Sequence, residues 1–391
     1  DGHSVPFPKF IPFPNSAGFS ANNPLRIGDG ISQLSGVLHS YGEHYILIPD
    51  AVAKIRIEPQ TRSKQPKLSS QANLVIASMN LQNYFNGNPS SFKRRDVGFP
   101  TSRGAKSYQG FLMQTQKLVS ALASINADII AVMELENDGY GEHSSIADLT
   151  RALNKKFTVK QQYQYITPKQ RRLGKDKISI GILYRNKKIK PMGAATAVNV
   201  GYRRPSLLQK FTLDKQLFYL AVNHFKSKGR PCKGEAEDVF QGHCNQARTR
   251  AALALTNFIK HDAGAESPVL IVGDLNSYSK EDPLLVLEEA GYKNLNSIAR
   301  LNLADSKFSS NARFSYSYQG YLGNLDHALV NDAMLPFIRS IDSWHINSVE
   351  DELLNYQTED NGQSYPSIDH YAEPDAYRSS DHDPLVIGIE F

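Results

Sequence analysis

With 391 residues, of which 40% are hydrophobic and 21% charged, the chain can bury a full core and exceeds the common domain size, so one large domain plus an additional piece is expected. Its 44 basic and 39 acidic residues leave a formal charge of +5, a mild excess compatible with a polyanionic partner and equally with none. The longest apolar runs, such as 127–133 and 268–272, are of strand length, which excludes a membrane-spanning helix, and the start Asp1-Gly2-His3-Ser4 lacks a charged-then-apolar signal segment, so the chain reads as mature or trimmed.

In chain order, Pro6, Pro8, Pro12 and Pro14 alternate with Phe7, Phe10 and Phe13 in an extended start, and strand-like runs follow at 31–38 and 45–48. These make residues 1–58 a small β module. Residues 59–72, rich in Ser, Lys, Pro and Gln, read as a linker, and 73–391 as the main domain. There, apolar strand runs repeatedly end in a polar residue: 74–79 at Asn80, 127–133 at Glu134, 217–222 at Asn223-His224, 269–273 at Asp274-Leu275-Asn276, and 321–325 at Asp326-His327. Helical spacing covers 110–124, 145–156, 245–260 and 280–290. Between Lys177 and His224 the runs 178–184, 207–213 and 218–222 follow one another, which predicts antiparallel hairpins within an α/β fold rather than a purely parallel sheet.

The run Ser379-Ser380-Asp381-His382-Asp383-Pro384, leading into an apolar strand, is the most informative stretch: a proton-shuttling His needs a position at the mouth of a rigid element. Polar groups at strand ends can converge on one mouth, whereas inside a strand they would be buried and unsatisfied; the plainer reading of each alone is a strand or helix cap. Gly273 allows close backbone approach, and Asp274 and Asn276, two apart in an extended segment, would face the same way. Glu134, Asp381, Asn80 and Asp274 are hard oxygen donors suited to Mg²⁺, Mn²⁺ or Ca²⁺ rather than zinc. His224 and His382 could flank a phosphodiester, one deprotonating the attacking water and the other serving an oxygen at phosphorus, with Asp326 orienting His382 and Asp176 orienting His224.

The two cysteines, Cys232 and Cys244, lie in one polar, Gly-containing stretch. A disulfide there would close a short loop, contribute roughly 3 kcal/mol and imply an oxidising compartment. Two free thiols in a reducing compartment are the alternative. The basic runs Lys93-Arg94-Arg95, Lys169-Gln170-Arg171-Arg172, Arg203-Arg204 and Lys226-Ser227-Lys228-Gly229-Arg230 fall in loop-like sequence, as solvated faces or as phosphate contacts. The Tyr- and acid-dense segment 358–377 is either a solvated insertion, a lining of the substrate groove, or the site of a structural Ca²⁺.

The ordered set Asn80, Glu134, His224, Gly273-Asp274-Leu275-Asn276, Asp326 and Ser380-Asp381-His382 resembles that of the endonuclease/exonuclease/phosphatase superfamily, over residues 73–391. Arg103-Gly104-Ala105, Met133 to Gly139 and Asn223 to Gly229 are similar to secreted bacterial nucleases of the ExeM type, where a small β module of oligonucleotide-binding character precedes the catalytic domain. The resemblance implies a four-layer α/β/β/α sandwich of the deoxyribonuclease I-like type, export, and Mg²⁺-assisted cleavage of DNA, with no obligate protein partner. It implies that Glu134 is the principal metal ligand with Asn80, Asp381 and Asp274 nearby, and that His382 and Asp326 handle the proton. Asp274, Asn276, His224 and Asp176 would act around the scissile phosphate, and Asn80, Asn276, Lys226 and Arg248 would bind it.

A phospholipid or sphingomyelin phosphodiesterase of the same fold is the alternative. The phosphatase signature Trp-Cys-Asp-Arg is missing at Gly323-Asn324-Leu325-Asp326-His327, and with Trp344 the only tryptophan no membrane-engaging aromatic hairpin is expected. A binding-only scaffold is disfavoured because the polar set is complete.

Overall fold

Strand alternation builds the molecule outward from a core between two sheets. The computed structural model describes residues 14, 17–42, 44–50, 55–87, 98–201, 203–264, 266–298, 314–356, 359–360, 363–364 and 371–391. The Pro/Phe start before residue 14, the run Lys93-Arg94-Arg95 and most of 358–370 lie outside these residues. One sheet orders the strands Ile338–Ser343, Leu385–Ile389, Leu74–Tyr84, Ile129–Glu136, Ile178–Arg185 and Tyr163–Tyr165. The other orders Thr196–Val198, Ser206–Leu213, Gln216–His224, Val269–Asp274, Asp326–Val330 and Lys293–Asn294, with Lys190–Pro191 also pairing with Ser206–Leu213. Each sheet has a parallel pair, Leu74–Tyr84 with Ile129–Glu136 and Gln216–His224 with Val269–Asp274, and the other ladders are antiparallel. The 178–222 region forms the expected hairpins.

Because successive residues of a strand face opposite sides, Ile129 and Ala131 enter the core between the sheets while Ile130 and Val132 pack outward under helices α1 (Tyr108–Ile125) and α2 (Ser145–Asn154). Leu270 and Val272 meet that same inner core, while Val269 and Ile271 pack under α3 (Asn245–Asp262) and α4 (Asp282–Glu289). The result is the α/β/β/α sandwich. Ser107 caps α1 by accepting from Gly110 N, and Asn126 ends it in the left-handed conformation.

The front of the chain forms two small antiparallel pairs, Gly30–Ser32 with Arg56–Glu58 and Gly36–Tyr41 with His44–Pro49. The segment read as a linker has no regular element but is not a free tether. Arg62 donates to both carboxylate oxygens of Glu350, at 3.0 and 2.6 Å, Lys67 N to Asp342 Oδ2, and Ser69 N to Ser340 Oγ.

Candidate active site

Strand register alone aligns three of the candidate residues. His224 is paired with Asp274, and Asp274 with Asp326, across neighbouring strands. The parallel pair is held close at Gly273: its φ is +136°, and a Cβ there would lie 2.0 Å from Asn223 O. The chain then turns, since Asn276 has φ +48° and its backbone N–H donates to Asp274 Oδ1 at 2.8 Å. Asp274 and Asn276 therefore do not share an extended segment. The Asn276 amide instead ties back to Phe225 O at 3.2 Å.

The other sheet reaches the same mouth through irregularities. Glu134 sits at a bulge between Met133 and Leu135 with φ +62°, which re-aims its side chain. Asn80 does not end its strand, which continues to Tyr84 past a register shift with positive φ at Gln82 and Asn83. Asn83 N donates to Glu134 Oε2 at 2.9 Å. Asp326 follows the short strand Tyr321–Gly323, which pairs with Tyr316–Tyr318 in a separate hairpin, and itself begins the next strand, Asp326–Val330.

Convergence is tight. His382 Nδ1 lies 2.7 Å from Asp326 Oδ2, and Ser315 Oγ donates to the same oxygen at 2.6 Å. Asp274 Oδ2 lies 3.9 Å from His382 Nε2, 3.4 Å from His224 Nε2, and accepts from Asn80 Nδ2 at 3.2 Å. Glu134 Oε1 is 3.8 Å from His224 Nε2. Tyr316 stacks near the His382 ring, centroids 4.6 Å apart. Beyond Asp381 and Tyr316 opens a groove of about 200 Å³ lined also by Gln82, Asn355 and Arg378.

The two histidines differ electrostatically. Burial opposes charge on His382, but Asp326, Asp274 and Asp381 outweigh it and hold the imidazole well above the ordinary histidine range. His224 is pushed well below that range by burial, then by the Arg204 guanidinium and by His382. Arg204 Nη1 is 2.9 Å from each ring nitrogen of His224; a guanidinium only donates, so one nitrogen must accept. A proton on Nε2 would face Asp274 and Glu134 and leave Nδ1 to accept from Arg204. Burial raises Asp274 to about 7, with Asp326 and Glu134 adding to the rise. Burial and then Asp381 raise Glu134.

Two sequence assignments change. Asp176 does not orient His224: its Oδ2 is 3.6 Å from Arg204 Nε, and Arg204 lies between the two. Arg248 does not face the substrate. It is fully buried and donates to Ser277 Oγ and to the carbonyls of Lys226, His243 and Gln241, stitching a loop together. Asp274 accepts from Asn80 Nδ2 and from Asn276 N–H and faces His224 Nε2, so it stands between the histidines and the Glu134 side of the site. Lys226 stays near the rim, half-buried and among the charges that lower His224. Arg204 and Tyr316 are the residues that sequence reasoning missed; Arg204 was visible only as half of a basic pair, and Tyr316 carried no signal.

Glu134, Asp381 and Asn80 fit a hard divalent cation. Burial and the Asp381 carboxylate raise Glu134 further than His382 and Arg204 lower it, and among the described residues the neighbouring Asn83 Oδ1 is buried without a hydrogen-bond partner. Among the described residues no three His, Cys, Asp or Glu side chains cluster as a metal cage. Cys232 and Cys244 are disulfide-bonded.

A known structure shares the architecture. An endonuclease/exonuclease/phosphatase family protein of Bacteroides thetaiotaomicron superposes with TM-score 0.50 at 14% identity, covering 83% of this chain and 98% of that one. A D. rerio TDP2 humanized by 14 mutations gives 0.47 at 16% identity over 81% and 99%, and a Bacteroides thetaiotaomicron mannosyl-6-phosphatase 0.48 at 14% over 82% and 100%. At these identities the likeness concerns the fold alone. No curated protein sequence matches the chain significantly. A sequence profile described as the Endonuclease/Exonuclease/phosphatase family matches residues 102–382, nearly three quarters of the chain, and it spans Glu134, His224, Asp274, Asp326 and His382. The chain belongs to the endonuclease/exonuclease/phosphatase family.

Proposed function

We propose that the protein is a secreted, metal-dependent and largely sequence-nonspecific deoxyribonuclease that hydrolyses phosphodiester bonds by histidine-assisted attack of water. The observation that carries this reading is the pair of histidines around one carboxylate, His382 fixed by Asp326 at 2.7 Å and His224 at 3.4 Å from Asp274, beside Glu134. With Nδ1 engaged by Asp326, His382 offers Nε2 to the water, and the surrounding carboxylates stabilise the imidazolium formed when it takes the proton. His224, kept neutral, donates its Nε2–H to a phosphate oxygen. Glu134, Asp381 and Asn80 would hold Mg²⁺ or Mn²⁺, whose bound charge would offset that of the phosphate. The disulfide supports export, and the partly exposed Lys226 supports backbone contacts that carry no sequence information.

Supercoiled plasmid incubated with Mg²⁺, with and without chelator, tests this directly. Chelator-sensitive nicking is expected, reduced about 10²-fold or more in His382→Ala; intact plasmid under every divalent metal refutes it. Sphingomyelin or phospholipid hydrolysis is the second reading, and the observation in its favour is the hairpin beside His382, whose Tyr318 and Tyr321 are exposed. The sequence had indicated no aromatic hairpin. Hydrolysis of DNA and sphingomyelin side by side separates the two.

A further inference from the structure

The hairpin is rooted in the catalytic pair. Ser315, at its base, donates to Asp326, and Tyr316 packs on His382. Its turn residues Gln319 and Gly320 both have positive φ, the geometry of a tight two-residue hairpin, so the cross-strand pair Tyr318 and Tyr321 is presented rigidly, 57% and 79% exposed. A second projection shares its footing. Gly323 of the hairpin packs on the Tyr278 ring, where a Cβ would meet it at 2.1 Å, and Lys228 Nζ lies 5.1 Å from the centre of that ring. Lys228 also donates to Gln241 O, next to Phe240, which is 95% exposed at the tip of the disulfide-closed loop. Phe240 N–H donates to Asp238 Oδ1, fixing the tip.

Fixed aromatic faces beside a phosphodiester site match the chemistry of unpaired nucleobases. Stacking needs an exposed π-face, which a duplex hides and a single strand offers, and ordering costs little when the platform is pre-set. Arg230 and Lys233, exposed in the Phe240 loop, supply charge for the backbone. A lipid surface fits less well, since the exposed hairpin rings are phenols and Trp344 is buried. We infer that Tyr318, Tyr321 and Phe240 form a stacking platform for single-stranded DNA that continues the catalytic cleft and gives unpaired strands an advantage over duplex. This rests on the deoxyribonuclease reading.

The test measures binding of a fluorescent oligo-dT strand, the corresponding blunt duplex, and phosphatidylcholine/sphingomyelin vesicles, under chelator so that nothing is cut. It compares wild type with Tyr318→Ala/Tyr321→Ala and with Phe240→Ala, all exposed positions, and checks the fold by thermal melting. A stacked base is worth a factor of about five to over a hundred in affinity, so the double variant should weaken oligo-dT at least about tenfold and duplex less than about twofold. Hydrolysis of bis(p-nitrophenyl) phosphate, too small to reach the platform, should not change. Unchanged oligo-dT affinity, an equal loss on duplex, or vesicle binding that the variants abolish overturns the platform. Plasmid cleavage by wild type with unchanged oligo-dT affinity in the variants would sink this inference and spare the proposed function. Platform-dependent oligo-dT binding without any cleavage would do the reverse.

Discussion

Asp326→Asn tests the proton-handling pair with the least change of shape. Asp326 is fully buried, accepts from Ser315 Oγ at 2.6 Å and lies 2.7 Å from His382 Nδ1; Asn keeps an acceptor for Ser315 but removes the charge. General acid–base assistance supplies about 10²–10⁴-fold, and it depends on the ring being held in one tautomer and orientation, so the predicted loss in kcat is at least about 10²-fold, or about 3 kcal/mol of barrier. A second signature has a defined sign. In the wild type Asp326 is the foremost of the carboxylates that raise His382. A base must be neutral, so activity falls as pH drops through that raised value. Removing the charge lowers the value, and the acid limb should move to lower pH. Initial rates across about pH 5 to 9, on plasmid and on bis(p-nitrophenyl) phosphate, give both quantities. A rate within about threefold of wild type, or an acid limb displaced to higher pH, would refute the assignment.

Other consequences are read first in stability. Gly273→Ala forces a Cβ against Asn223 O in a left-handed backbone and should destabilise by about 2–5 kcal/mol while separating His224 from Asp274; a variant with wild-type melting temperature and rate contradicts the register argument. Arg248→Met leaves the carbonyls of Lys226, His243 and Gln241 without their donor and should cost upwards of about 3 kcal/mol in urea unfolding, whereas a substrate-binding role would lower DNA affinity at unchanged stability. Asp138 is raised from 3.8 to about 7 by burial and by Glu136, so the folded state binds more protons than the unfolded one between those values, and wild-type stability declines as pH rises through that window. Asp138→Asn should therefore gain stability relative to wild type between about pH 5 and pH 8, by about 2–3 kcal/mol. A pH-independent difference in urea melts would show that the carboxyl is not desolvated as described.

Period-two strands and helical spacing are local properties, so the sequence alone determined the elements: the four helices and the main strands appear within a few residues of where periodicity places them, and the order Glu134, His224, Asp274, Asp326, His382 already pointed to the family. Local patterning does not record bulges, register or which neighbour reaches a side chain first. Glu134 therefore reached the mouth through a left-handed bulge that no spacing announces, and Asn80 proved to lie within its strand. Arg204, 20 residues from His224 in the chain, took the place expected for Asp176, while Arg248, expected to bind the phosphate, was drawn inside by backbone carbonyls around it. Only the tertiary structure could decide these, because a buried charge settles where its partners are, and those partners come from distant segments that packing brings together.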